Sequence, residues 1–181
     1  MTLKTQKITP TKLETLAAVA TRAYFDHYKH LWHDKGTWYA NKCFNIKQLE
    51  EEISDEKNLF FLAIFDEKPV GFLKLRPENQ LAEQEGNGFE VERIYLAKEV
   101  TSKGVGRKLM EFSIEMARKQ HKDYVWLKAM DSSQSAIRFY ESLGFEICGT
   151  SRLDFAQMKT EYLGMVAMKK ILRGTNYDLR M

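Results

Sequence analysis

Two glycines separated by one residue, Gly104 and Gly106, are the clearest sign of a binding site in this sequence. Glycine backbones reach conformations that turn successive N–H groups toward one anion, and a helix beginning here would add the favourable end of its dipole. A pyrophosphate group suits such a loop. The residues expected to hold it are Thr101, Ser102, Lys103, Gly104, Val105, Gly106 and Arg107.

The same loop lacks the signatures of two common nucleotide sites. The dinucleotide pattern G-x-G-x-x-G requires a third glycine where the sequence has Leu109, and the Walker pattern requires a G-K-[ST] ending that does not follow here. A G-x-G pair by itself is also compatible with a purely structural turn. NAD and ATP therefore rank below another ligand that carries a pyrophosphate.

Tyr140, Glu90 and Glu92 are candidates for moving protons. The phenol of Tyr140, with an ordinary pKa of about 10, can donate a proton to a leaving group. Its place after Ala136 and Phe139 in a helical series is equally typical of a core aromatic. Glu90 and Glu92 share one face of a predicted strand, where a carboxylate can take a proton from an attacking nucleophile. Two solvated acids near a strand edge would give the same pattern.

Helical and strand patterns position these residues in a mixed α/β arrangement. The predicted elements are, in chain order, a helix from Thr9, a loop or short helix within 24–39, a helix from Asn45 to Asp55, a hairpin of strands 59–65 and 70–75, a strand 89–96, a helix 105–120, a strand 124–129, a helix ending at Gly144, and strands 145–150 and 162–169. Simple alternation in the strand 89–96 predicts one face with Phe89, Val91, Arg93 and Tyr95 and another with Glu90, Glu92, Ile94 and Leu96.

Several segments of the chain resemble the GNAT acetyltransferase superfamily. They are VERIYL at 91–96, GVG at 104–106, SAIRFYE at 135–141 and LGF at 143–145. More narrowly, the run FNIKQLEEEIS and the hairpin that follows it resemble bacterial polyamine N-acetyltransferases of the PaiA kind. The resemblance extends over most of the chain.

The resemblance implies a fold and a co-substrate. The fold is a mixed, mostly antiparallel sheet flanked by helices, in which a central strand splays from its neighbour at a bulge and binds acetyl-CoA. Backbone groups of Ile94, Tyr95 and Leu96 would hold the pantetheine arm, while the loop 101–107 would hold the pyrophosphate.

The same resemblance assigns individual side chains. Thr101 stands where the family usually has Gln or Arg. Ser133 stands where the family often has Asn, so the hydroxyl of Ser133 would bond the pantetheine arm. Tyr140 would contact the sulfur and serve as the general acid. Glu92 corresponds by spacing to the base of polyamine acetyltransferases and is the preferred base, while Glu90 corresponds to the base of other members.

The predicted reaction is direct transfer of acetyl from acetyl-CoA to a small-molecule primary amine, with polyamines favoured as acceptors. The N–H of Ile94 is expected to donate to the thioester carbonyl as charge develops. The aromatic stretch 24–39 would lie over the acceptor, although such a cluster is also typical of a core. Two alternatives stay open: a non-catalytic module that binds acyl-CoA, and acetylation of a peptide or protein amine.

Bulk properties argue against several other classes. The 181 residues fit one domain, predicted at 1–170, with a tail at 171–181 that either frays or contacts a second copy to form a homodimer. The formal charge of +3 comes from interspersed basic and acidic residues and gives no field suited to nucleic acid. His27, His30 and His33 are not joined by a carboxylate or cysteine in a compact ligand set, so no metal site is predicted.

The two cysteines and the hydropathy predict a cytoplasmic location. Cys43 and Cys148 are far apart and form no CxxC motif, which favours a reducing compartment. The first residues are too polar for a signal peptide, and no apolar run approaches the roughly 20 residues of a membrane span. No membrane association is therefore predicted.

Overall fold

The computed structural model describes residues 2–172, which form a seven-stranded sheet with helices on both faces. The strands are β1 (Leu3–Lys7), β2 (Leu59–Phe65), β3 (Lys68–Arg76), β4 (Gly88–Leu96), β5 (Tyr124–Met130), β6 (Glu146–Arg152) and β7 (Gly164–Ile171). Their order in the sheet is β1-β2-β3-β4-β5-β7-β6. All neighbours are antiparallel except β4 and β5, which are parallel. The predicted mixed, mostly antiparallel α/β class is confirmed.

Within residues 2–172, five α-helices cover the two faces of the sheet. They are α1 (Leu13–Tyr28), α2 (Thr37–Cys43), α3 (Ile46–Ser54), α4 (Val105–Lys119) and α5 (Gln134–Glu141). One core lies under α1 to α3, around Leu16 and Phe72. The other lies under α4 and α5, around Met110 and Val125. Each helix therefore buries its apolar stripe against the sheet.

Two helix ends follow the local signals in the sequence. The side chain of Asn45 accepts a hydrogen bond from the N–H of Gln48 at 2.9 Å, which caps α3. Past the end of α5, Gly144 adopts a φ of 83°, a conformation that residues with a Cβ rarely reach. The predicted start of α3 and stop of α5 are both confirmed.

A bulge in β4 creates the gap on which the site is built. Val91 pairs with Leu75 of β3, but the next pair joins Arg93 to Lys74, so Glu92 is an extra residue in β4. Pairing with β5 stops at the same point, because the register of β4 with β5 covers only Gly88 to Val91. Beyond Val91 the two strands diverge, as the resemblance implied.

The bulge also makes the predicted alternation of β4 wrong. Val91 packs in the core under α4 and α5, and Ile94, predicted on the opposite face, packs on that same side. Arg93 instead pairs with Glu52 of α3, and Tyr95 packs in the opposite core, under α1 to α3. The extra residue reverses the inward and outward order of every side chain that follows it.

Other element boundaries also differ from the predictions. Strand β1 was not predicted, and the first helix begins at Leu13 after a short 3-10 turn over Pro10–Lys12. The last strand begins at Gly164, because Thr160–Tyr162 forms another 3-10 turn, and it runs to Ile171. The predicted tail, 171–181, therefore begins too early, since Ile171 belongs to β7 and the N–H of Leu172 donates to the carbonyl oxygen of Asp123 at 2.8 Å. The rest of that tail, 173–181, lies outside the described residues. Among helices within 2–172, none is both long and apolar enough to cross a bilayer.

Candidate active site

Two cavities open where β4 and β5 diverge. The larger, about 940 Å³, lies between the end of β4, the loop before α4 and the start of α5. The smaller, about 310 Å³, lies between β4, β5, α1 and the segment that joins β6 to β7. The residues that line both are Tyr28, Leu31, Ile94, Tyr95, Met130, Ser133, Ala136 and Tyr140. The shared wall shows that the two cavities meet at the gap in the sheet.

The larger cavity brings together most residues predicted to hold acetyl-CoA. Those that line it are Ile94, Tyr95, Leu96, Thr101, Ser102, Gly104, Gly106, Arg107, Ser133 and Tyr140. Lys103 and Val105 do not line it. The side chain of Val105 is buried beside Val100 and Leu109, while the ammonium of Lys103 lies 5.7 Å from the centre of the Phe65 ring. Any contact from these two residues to a ligand in this cavity would have to come from the backbone.

Sequence reasoning missed several residues in the wall of the larger cavity. Ser132, Gln134 and Ser135 surround the predicted Ser133, and their run of small polar residues was a signal for a ligand-facing helix start. His27 and His30 also line this cavity. The sequence marked them only as candidate metal ligands, and the packing of α1 against the end of β4 brings them to this cavity.

The start of α4 presents free backbone donors to the larger cavity. Gly104 has a φ of 76° and precedes the helix, and Ser102 also has a positive φ, of 66°. The helix ladder begins with the N–H of Lys108, which donates to the carbonyl oxygen of Gly104 at 3.1 Å. The preceding N–H groups of the first turn have no carbonyl to bond within the helix, so they suit an anionic ligand.

Gly106 offers a direct test of this loop. A Cβ at this position would meet Leu96 and Phe139 only at ordinary contact distances of 3.6 Å. Gly106→Val should therefore fold, but its side chain would fill space that a pyrophosphate needs, and affinity for acetyl-CoA should fall about tenfold or more. Calorimetric titration of both proteins measures the change. Equal affinity in a folded variant would contradict an anion site here.

Two hydrogen bonds at the end of β4 show which of its backbone groups face the gap. The N–H of Ala97 donates to the carbonyl oxygen of Val70 at 2.7 Å, so it points toward β3. The carbonyl oxygen of Leu96 instead accepts from Nε2 of His27 at 3.0 Å, on the cavity side. Because backbone groups alternate along a strand, the N–H of Ile94 also points away from β3, into the gap.

Tyr140 lies at the junction of the two cavities. Its side chain is 9% exposed, and its ring packs against the rings of Phe139 and Phe145. Burial, with a smaller contribution from Tyr28, raises the pKa of Tyr140 well above its usual value. The phenol therefore keeps its proton throughout the physiological range and is available as a donor.

Glu90 is a buried carboxylate in the wall of the smaller cavity. Its Oε2 accepts a hydrogen bond from Asn79 at 2.6 Å and lies 3.5 Å from the guanidinium of Arg76. Its Oε1 makes no hydrogen bond or ion pair with the residues of 2–172. Burial raises the pKa of Glu90 above its ordinary value, against the opposing effect of Asn79. One oxygen of a more basic carboxylate is thus open to the cavity.

Glu92, the bulge residue, lines the same cavity but is held by cations. The ammonium of Lys74 lies 3.0 Å from Oε1 and 2.8 Å from Oε2 of Glu92, and the guanidinium of Arg93 lies 3.3 Å from Oε1. Both cations also bind Glu52 of α3, at 2.8 Å and 2.9 Å. Both oxygens of Glu92 are therefore engaged, whereas Glu90 keeps one free.

The aromatic stretch forms core and cavity wall at once. Tyr24, Tyr28, Trp32 and Tyr39 line the smaller cavity. Trp32 is 1% exposed, and its indole N–H donates to the hydroxyl of Tyr24 at 2.7 Å. The rings of Tyr24 and Tyr39 are stacked with centroids 4.7 Å apart.

Within residues 2–172 no group of three His, Cys, Asp or Glu side chains is placed to hold a metal ion.

Comparison with known proteins supports one family. An N-acetyltransferase of Lactobacillus delbrueckii subsp. lactis is 35% identical over 107 residues, which are 59% of this chain and 62% of that protein. A spermidine N(1)-acetyltransferase of Thermoplasma acidophilum is 26% identical over 164 residues, or 88% of this chain and 98% of that protein. The match to the first relative thus spans less than two thirds of its length, and that to the second nearly all.

Solved structures share the fold. The PaiA N-acetyltransferase of Thermoplasma acidophilum, crystallised in complex with coenzyme A, has a TM-score of 0.73 at 22% identity and covers 95% of this chain and 100% of its own. The family model of the acetyltransferase (GNAT) family matches residues 18–145, which is most of the chain. With the splayed strands and the glycine loop in place, this match shows that the chain belongs to the acetyltransferase (GNAT) family.

Proposed function

We propose that the chain transfers the acetyl group of acetyl-CoA to a primary amine. The observation that carries this proposal is the meeting of two cavities at Tyr140 and Ile94. A long, polyanionic donor fits the larger cavity, with its phosphates at the N–H groups that begin α4 and its arm along the end of β4. A small acceptor fits the other cavity, so donor and acceptor approach each other from opposite sides of the gap.

The residues at the junction have complementary roles in a direct transfer. Glu90 takes a proton from the ammonium of the acceptor, and the neutral nitrogen forms a bond to the thioester carbonyl carbon. The N–H of Ile94 donates to the carbonyl oxygen while it carries negative charge. As the carbon–sulfur bond breaks, Tyr140 gives its proton to the departing sulfur, so that CoA leaves as a thiol. The nitrogen then loses its extra proton to the phenolate of Tyr140, which gives a neutral amide and restores the tyrosine, and Glu90 releases its own proton to solvent. No covalent bond to the enzyme is formed.

Glu90 is chosen over Glu92 for the proton acceptor because of their contacts. Glu92 stands at the base position of polyamine acetyltransferases by spacing, and its role as the base stays a prediction. Lys74 and Arg93, however, engage both of its oxygens, whereas Oε1 of Glu90 is open to the cavity. A carboxylate with a free oxygen and a raised pKa is the better proton acceptor.

Polyamines are the acceptors that similarity favours. A spermidine N(1)-acetyltransferase is among the relatives, and a spermidine N-acetyltransferase of Vibrio cholerae shares the fold with a TM-score of 0.67 at 17% identity. A ribosomal-protein-alanine N-acetyltransferase of Brucella melitensis has the same TM-score at 22% identity. A volume of about 310 Å³ is at the lower end for a small-molecule site, which favours a small amine over a protein chain.

An acceptor screen tests this function. Purified protein is incubated with acetyl-CoA and a panel of polyamines, monoamines, amino acids and short peptides, while free thiol and the acetylated products are measured. We expect at least one amine to raise thiol release well above the rate without acceptor. If acetyl-CoA raises Tm but no amine is acetylated, the chain is an acyl-CoA-binding module. Stabilisation by ATP or NAD but not by CoA would contradict both.

A further inference from the structure

The charged side chains that line the smaller cavity cancel one another. Within the described residues 2–172 they are Glu90, Glu92, Arg93 and Lys128. Two are acidic and two are basic. A site for a polycation would instead be expected to present an excess of carboxylates, because charge complementarity gives specificity at small-molecule sites as it does between proteins.

A second layer of charges shifts the balance further toward positive. Glu52 adds one carboxylate, which is already bound by Lys74 and Arg93 at 2.8 Å and 2.9 Å. Lys74 and Arg76 add two cations, and Arg76 lies 3.5 Å from Glu90. The two layers together contain three carboxylates and four cations. Each carboxylate has a cation within 3.5 Å, so none is left to receive a second ammonium group.

Aromatic faces at the rim of the cavity are also occupied. Phe155 lines the cavity and packs against Trp38, with ring centroids 5.5 Å apart. The ammonium of Lys42 lies 4.8 Å from the centre of the Trp38 ring and 5.4 Å from that of Phe155. These distances are typical of cation–π contacts, so a cation of the chain itself already lies over the rings of Trp38 and Phe155.

From these charges we infer that the acceptor is a small monoamine, in which one primary amine is attached to an apolar or aromatic body without a second positive charge. The inference rests on the proposed function, and it selects a monoamine as the acceptor in place of the polyamines that similarity favours. Trp32, Phe155 and Met158 give the body apolar surface to contact. The single charge is removed when Glu90 takes the proton. A second ammonium would stay charged in a partly buried site without a free carboxylate, at a large cost.

The matched pair hexylamine and 1,6-diaminohexane tests the inference, because the two differ only in the second amine. Both are assayed with acetyl-CoA by thiol release, beside phenethylamine and spermidine. We expect kcat/KM for hexylamine and phenethylamine to exceed that for 1,6-diaminohexane and spermidine by about tenfold or more. Equal or higher kcat/KM for the diamine or for spermidine would overturn the inference.

Charge-reversal variants locate the cause of the discrimination. Lys42→Glu combined with Lys128→Glu adds carboxylates at the cavity, so the preference for hexylamine over the diamine should shrink severalfold. Lys119→Glu is the matched control, since Lys119 is exposed near the end of α4 and lines neither cavity. It should leave the ratio unchanged. An equal effect of both changes, or no effect of the double variant, would contradict an origin in the charges of the cavity.

Binding separates this inference from the reaction itself. Hexylamine and 1,6-diaminohexane are titrated calorimetrically into the protein saturated with CoA, where no acetyl group is present. Tighter binding of hexylamine without thiol release in the assay would remove the proposed function, while the preference of the smaller cavity for a monoamine as a ligand would still hold. Turnover of spermidine with tighter binding of 1,6-diaminohexane would support the proposed function and overturn the monoamine acceptor class. If hexylamine does not bind, and neither hexylamine nor phenethylamine is acetylated, the monoamine acceptor class is wrong.

Discussion

Replacing Tyr140 with phenylalanine should lower kcat about a hundredfold or more while the protein stays folded. The ring and its packing against Phe139 and Phe145 are retained, but the hydroxyl that would protonate the departing sulfur is lost. Burial raises the pKa of Tyr140, so the parent keeps this proton at every pH suitable for assay. Steady-state kinetics at saturating acetyl-CoA measures the loss.

Three controls accompany the Tyr140→Phe variant. Its Tm and its affinity for acetyl-CoA should stay close to those of the parent, since the hydroxyl is the only group removed. Its activity should not recover at high pH, because a more neutral amine does not replace a proton donor at the sulfur. Full activity in the variant would mean that Tyr140 only packs at the junction, and a different group would have to protonate the sulfur.

The parts of the fold marked by local patterns were predictable from the sequence. The Asn45 cap, the hairpin of β2 and β3 and the glycine after α5 each depend on residues a few positions apart. Strand β1 was missed because its sequence, LKTQK, contains a single apolar residue and shows no alternation. That strand exists because it pairs with β2, where Leu3 lies opposite Phe65, and no local signal reports such a partner.

The donor side of the site was easier to predict than the acceptor side. The loop at 101–107 is contiguous, so its glycines, its helix start and its cavity wall could be inferred together. The acceptor side depends on contacts between distant segments: Glu52 of α3 and Lys74 of β3 both reach the bulge of β4. The bulge itself is set by the pairing of β3 with β4, and it reversed the predicted direction of Arg93.

Glu90→Gln should lower the rate at neutral pH about a hundredfold or more, and the loss should shrink as the pH rises. Glutamine keeps the shape of the side chain, and its amide oxygen can still accept a hydrogen bond from Asn79 or Arg76. It cannot take a proton from the acceptor. An alkylamine has a pKa of about 10, so the neutral fraction grows about tenfold for each pH unit below that value. The variant should follow this fraction upward.

The pH dependence of the parent should instead report the protonation of Glu90. Because burial raises the pKa of Glu90, the carboxylate takes up its proton at a higher pH than an ordinary glutamate, and activity should fall as the pH drops through that value. In Glu90→Gln this inflection should disappear, and activity should instead rise steadily with the neutral fraction of the amine. Measuring kcat/KM against pH for the parent and the variant, at saturating acetyl-CoA, gives both profiles from one series.

Glu92→Gln is the matched comparison, with the same chemical change two positions along β4. If Glu92 is held by Lys74 and Arg93 and moves no proton, its replacement should reduce activity at all pH values to a similar degree, and high pH should not rescue it. It should also lower Tm, because Lys74 is buried and loses one of its two carboxylates. If Glu92→Gln is the variant that high pH rescues while Glu90→Gln retains the activity and the inflection of the parent, the base is Glu92. In that case Lys74 and Arg93 must release one of its oxygens when the acceptor binds.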